Sequence, residues 1–135
     1  MLAGFIKYSP TWKAVAVSVT GKSLIFSESV AKLLGRDSYV SFWIDYKSKR
    51  IAIQKENEKD KDALHVFTGK YQSNYVRVSN IVVMSAIKRL MPHWELDKKV
   101  YKAKGTFDEA NTAIIFDFLN AQEREKHVRN RTRQN

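Results

Sequence analysis

Residues Gly21 to Ile53 read GKSLIFSESVAKLLGRDSYVSFWIDYKSKRIAI. The run Leu24–Phe26 is extended and apolar. Ser27 offers a helix N-cap oxygen, and Glu28 follows in the first turn, where a negative charge suits the helix dipole. Val30, Leu33 and Leu34 then form an i, i+3, i+4 stripe, and Gly35 supplies the left-handed conformation that stops a helix. The helix is thus predicted to be about two turns long. In YVSFWID, Val40, Phe42 and Ile44 point one way, while Tyr39, Ser41, Trp43 and Asp45 point the other. A polar turn, Asp45–Arg50, leads into the returning strand RIAIQ, which makes a hairpin. Upstream, Ala14–Val19 has strand spacing, with Val15, Val17 and Val19 on one face and a turn at Thr20-Gly21.

The same order recurs further along. Tyr75–Ser79 reads as a strand. Ser79 or Asn80 caps a helix that carries Val83, Ile87, Leu90 and Met91 and is ended by Pro92. Lys99–Phe107 is a strand, Asp108–Asn111 a turn and Thr112–Phe118 the returning strand. The second helix is longer by about a turn. Ala63–Thr68 is an extra strand between the two series. The pattern fits an internal duplication with units 14–55 and 75–118 joined by a connector, 56–74, or an unrepeated α+β domain. In both cases the expected class is β-rich α+β, with one globular domain over 1–118 and a basic tail over 119–135. The connector contains ENEKDKD, polar with alternating sign and without an apolar face to bury.

The segment Gly21–Ile53 resembles the AbrB/MazE swapped-hairpin family of DNA-binding proteins. The matching residues are Gly21, Lys22, Leu24–Phe26, Leu34-Gly35, Asp37, Tyr39–Ile44, Asp45 and Ile51–Ile53. Ser27 stands where that family has proline, and Asp37-Ser38 where it has Gly-Asp. The resemblance implies a barrel made of interleaved hairpins, here closed by the two units of one chain as a pseudo-dimer, or by two chains as a homodimer. It also implies contacts to DNA near Lys22, Lys32 and Arg36, a sparser basic set than the family carries.

The 135 residues include 24 Lys/Arg and 14 Asp/Glu, a formal charge of +10. Such a surplus attracts polyanions, among which nucleic acid is the commonest inside a cell. Residues 1–55 hold nine basic and three acidic side chains, and residues 119–135 hold five and two. With no cysteine, disulfide scaffolds, thiolate zinc sites and thiol catalysis are excluded. The start has an apolar run too short for a signal peptide, and no run reaches the length of a membrane span. A cytoplasmic protein is expected, in the host cytoplasm if it is phage-encoded, with no membrane partner.

Three histidines, His65, His93 and His127, are widely separated and lack metal-ligand spacing, and the five glycines form no phosphate cradle. No catalytic residue, metal or cofactor is assigned, and the chain is not expected to be an enzyme. Basic constellations are the candidate sites. Lys98, Lys99, Lys102 and Lys104 straddle the start of a strand, with Lys102 and Lys104 on the face opposite Tyr101 and Ala103. Alternate strand residues of this kind match phosphate spacing. Lys47, Lys49 and Arg50 crowd the first hairpin tip. Arg129, Arg131 and Arg133 alternate in the tail, either as an arm that orders on phosphates or as a solubilising extension. Arg36, Arg50, Arg77 and Arg89 are candidates for reading bases. Lys88 and Arg89 also suit a helix C-terminus without any partner. Trp43 either is exposed to stack on a base or anchor a protein partner, or is covered by another strand or by the other half, and the covered placement is the expected one. Trp12 and Trp94 are expected to plug the core edge.

Two functional classes follow. The first is a small nucleic-acid-binding protein, DNA ahead of RNA because of the family resemblance, acting as a transcription regulator or antitoxin-like partner. The second is an interaction protein, such as a phage-type inhibitor that blocks a host nuclease or polymerase by sitting on an acidic or nucleic-acid-bound surface.

Overall fold

A computed structural model describes residues 14–35, 38–57, 61–67 and 75–126. Strands β1 (Ala16–Val19) and β2 (Leu24–Ser27) are joined by a tight turn. Within it the Thr20 hydroxyl accepts from the N–H groups of Lys22 (3.2 Å) and Ser23 (3.0 Å). Helix α1 (Glu28–Leu34) follows and ends at Gly35, which has φ 96°. Only glycine adopts that angle without strain, which is why the helix stops after two turns. Ser27 occupies the N-cap position, but its hydroxyl accepts from the Ala16 N–H of β1 (3.0 Å) and makes no cap bond. The Ser29 hydroxyl donates to the Ala14 carbonyl at 3.0 Å. The start of α1 is therefore pinned to the first strand rather than to its own backbone.

Strands β3 (Ser38–Asp45) and β4 (Arg50–Glu56) form the first hairpin. After β5 (Leu64–Phe67) and β6 (Tyr75–Val78) comes α2 (Ile81–Leu90), capped by the Asn80 side chain, which accepts from the Val83 N–H at 3.0 Å. This decides between the two predicted caps. Strands β7 (Lys99–Asp108) and β8 (Ala113–Asp117) form the second hairpin. The chain then makes one 3-10 turn, Phe118–Asn120, and adds β9 (Gln122–Glu125). Residues 122–125, assigned by sequence to the tail, thus belong to the sheet. β9 pairs with the first half of β7, Lys99–Lys102, beyond the stretch that β8 covers. All four β9 side chains are exposed, so no apolar alternation announced the strand. No helix among the described residues is long and apolar enough to cross a membrane.

All the pairings are antiparallel, in the order β5-β3-β4-β8-β7-β1-β2-β6, and the sheet curls into a half-barrel. Exchange of β1–β4 with β5–β8 reproduces most of this pattern. β3 pairs with β5 as β7 pairs with β1, while β2 meets β6 and β4 meets β8. β5 packs against β6 without a ladder, the one departure within these eight strands. The register obeys the same exchange. Ala52 lies opposite Ile115, and the flanking bonds Lys55 N–H to Thr112 O (2.9 Å) and Phe118 N–H to Lys49 O (3.0 Å) are reciprocal.

The concave face collects the core from both halves. Val17, Leu24, Phe26, Val30, Leu34, Val40, Ile51 and Ile53 are buried with Ile87, Leu90, Ile114, Phe116 and Phe118. Phe26 of the first half and Phe116 of the second have ring centroids 5.7 Å apart. Units of about 40 residues rarely bury enough surface to fold alone, and here the two halves share one core. At its tightest point Gly105 leaves no room: an added Cβ would sit 2.7 Å from Phe116 Cε1, 2.8 Å from Ile114 Cγ2 and 2.9 Å from Val15 Cγ1. Gly105→Ala is therefore expected to destabilise the fold by about 1–3 kcal/mol through overpacking. Urea unfolding of the variant beside the wild type checks this, and an unchanged midpoint would contradict the packing described.

Candidate nucleic-acid interface

The two hairpin tips are built alike. In the first, Asp45 Oδ1 accepts from the N–H groups of Lys47 and Ser48, each at 3.1 Å, and Oδ2 accepts from Arg50 at 2.9 Å. In the second, Asp108 accepts from the Asn111 N–H (3.3 Å) and side-chain amide (2.8 Å). Four residues after each aspartate the chain takes a positive φ, 55° at Lys49 and 48° at Thr112. The Asp side chain folds the turn and the left-handed residue redirects the chain into the next strand. The predicted cations at the first tip consequently differ in state. Lys47 is exposed, Lys49 is half-buried, and Arg50 is committed to Asp45.

Two basic grooves lie on the surface. The larger, about 810 Å³, opens beside the β1–β2 turn. Lys22, Arg77, Lys88 and Lys126 contribute positive charge, Asp97 is the only acid among the described residues of the lining, and Met91, Pro92, Trp94 and Leu96 supply apolar wall. Arg77 reaches it because β6 lies beside β2, and its guanidinium donates to Ser23 Oγ at 3.0 Å. Trp94 is stacked on Tyr101 with centroids 4.2 Å apart and half-buried, in its expected place at the core edge. The second groove, about 540 Å³, is lined by Lys102, Lys104, Thr106 and Arg124, with Asp117 as its acid. The predicted alternation of β7 holds: Tyr101 and Ala103 are buried, while Lys104 and Thr106 are exposed.

The remaining candidates scatter. Lys98 is exposed, but Lys99 is held by Glu123 (2.9 Å) and Glu95 (3.3 Å). The hydrogen bond to Glu123, and then that to Glu95, hold its ammonium well above the ordinary lysine range. Its charge is spent on tying β9 and the 94–98 loop to β7, so it adds little field to the surface. Lys32 is exposed on α1, 3.9 Å from Glu28. Arg36, Arg129, Arg131 and Arg133 lie outside the described residues, as do Trp12 and His127. Among the described residues no three His, Asp or Glu side chains group as metal ligands.

Trp43 corrects an expectation. It is 57% exposed, not covered. β5 pairs with β3 only as far as Val40, so no described strand flanks Ser41–Asp45 on that side. Its Nε1 donates to Ser41 Oγ (2.8 Å), and Ser41 donates in turn to Glu56 Oε2 (2.6 Å). Lys126 and Arg124 were missed as groove residues. They lie in a segment without apolar periodicity, and only the β9–β7 pairing brings them to the grooves.

No family model, curated protein or solved structure matches this chain.

Both tip aspartates titrate below the ordinary carboxylate range, Asp45 chiefly through the Arg50 hydrogen bond and Asp108 chiefly through the Asn111 side chain. The unfolded chain takes up these protons more readily than the folded one. The turns therefore contribute stability above the ordinary value that fades as pH falls below about 4. Thermal melts between pH 6 and pH 3 should show a smaller acid-induced drop for Asp45→Asn/Asp108→Asn than for the wild type. Parallel curves would contradict this role.

Proposed function

We propose that this chain is a small DNA-binding regulator, built as an AbrB/MazE-like swapped-hairpin barrel whose two halves come from one polypeptide. The exchange pattern of the strands carries the reading: each unit lends its hairpin to the first strand of the other. That is the arrangement implied by the resemblance of Gly21–Ile53 to the family. The basic groove supports a polyanion as the ligand. It contains Lys22, one of the family-matched positions, and joins it to Arg77, Lys88 and Lys126 across three elements. A cluster of four cations around one acid in a concavity raises the local concentration of phosphate. Binding is largely electrostatic, through phosphates, with Arg77 the arginine placed to reach a base edge. Closure within one chain makes the binding unit a monomer.

A competing reading is a protein-blocking inhibitor, favoured by two exposed aromatic residues of the first hairpin, Trp43 and Tyr46, the latter 49% exposed. Aromatic side chains of this kind anchor protein interfaces. Fluorescence anisotropy with random-sequence duplex DNA across a salt series separates the two. A log–log slope of roughly −4 to −6 is expected from phosphate contacts by the two grooves. Absence of binding at low salt would remove the DNA reading and leave the protein partner ahead.

A further inference from the structure

The two hairpins superpose position by position in sequence terms. The tip aspartates (Asp45 and Asp108), the positive-φ residues (Lys49 and Thr112) and the residues facing each other at the centre of the β4–β8 ladder (Ala52 and Ile115) share one constant spacing. On the solvent face the same spacing sets Tyr39 against Lys102, Ser41 against Lys104 and Trp43 against Thr106. The scaffold is repeated, and its outer surface is not.

We infer that the phosphate-binding surface is one-sided: the β7–β9 face engages one duplex, and the matching β3–β4 face is closed to it, so that one chain recognises an asymmetric site. This rests on the nucleic-acid reading above. On the β7 side Lys102, Lys104 and Arg124 line an open groove. On the β3 side the counterparts of Lys102 and Lys104 are occupied otherwise. The Tyr39 ring stacks on His65 with centroids 4.3 Å apart. Ser41 is buried and bonded between Trp43 and the Glu56 carboxylate. A cation on one face is thus replaced by a carboxylate relay on the other, and a phosphate approaching Glu56 meets like charge. Nor does the β3 side carry a described equivalent of β9, the strand that delivers Arg124. A homodimer presents two identical faces and suits an inverted repeat. This chain keeps the two-fold arrangement of strands but presents two unlike faces, so its preferred site has a direction.

The test uses the full chain and a short random-sequence duplex in excess. Sedimentation should give one duplex per chain. Lys102→Gln/Lys104→Gln should make the salt slope shallower by about two units, and the exposed Lys104→Gln alone by about one. Trp43→Ala should leave the slope unchanged and the affinity within about twofold, since an uncontacted surface residue adds no counterion release. Melting curves confirm that each variant is folded. Two duplexes bridged by one chain, an unchanged slope in both lysine variants, or a loss with Trp43→Ala equal to that of the double lysine variant would each overturn the one-sided surface. If the wild-type chain binds no duplex at all, the nucleic-acid reading itself fails.

Discussion

The ladder between β4 and β8 is the constraint on which the rest of the molecule depends. It joins the return strands of the two hairpins, with Ala52 facing Ile115 at its centre and reciprocal backbone bonds at its ends. Each strand alone has one neighbour in its own hairpin and one edge without partners. Pairing the two edges satisfies both sets of backbone groups and places Ile51, Ile53, Ile114 and Phe116 on one concave surface. The second union, β2 with β6, performs the same service at the other side of the core. Between them these two ladders join the two units around one core.

Once the strands are so arranged, the grooves follow. Lys22 and Arg77 are far apart in the chain and meet because β6 lies beside β2. Arg124 and Lys102 meet because the 3-10 turn after β8 sends the chain back along β7. The charge surplus therefore becomes a shaped field only through pairings between distant segments. The same topology explains why neighbouring lysines have different fates. Lys99 lies within reach of Glu95 and Glu123, which balance its charge, whereas Lys104 lies beyond the end of β9 and remains exposed.

The turn aspartates carry a structural lesson about acidic residues in a basic protein. Asp45 and Asp108 each organise a hairpin tip through their own backbone, and each precedes a residue with left-handed φ by the same distance. The recurrence of this device, with little identity elsewhere between the halves, is what aligns β3 with β7 and reveals how differently their outer faces are furnished. Trp43, Ser41 and Glu56 form a bonded chain, and the residue at its centre, Ser41, stands where the other half has Lys104.

Local chemistry in the sequence determined the elements. Apolar alternation marked β3, β4, β7 and β8, Gly35 stopped α1, and the Asp-led turns closed the hairpins, because each of these rests on neighbours within a few residues. The basic face of β7 was legible for the same reason, since strand alternation alone separates Lys102 and Lys104 from Tyr101 and Ala103. Tertiary structure decided everything that depends on which edge meets which. The Ser27 hydroxyl turned from helix cap to a bond with β1, because the strand brings the Ala16 N–H to within 3.0 Å of it. Trp43 stayed exposed because the pairing of β5 with β3 stops at Val40. β9 formed without any apolar pattern because β7 outruns β8 and leaves an unpaired edge, and backbone hydrogen bonding is blind to side-chain polarity.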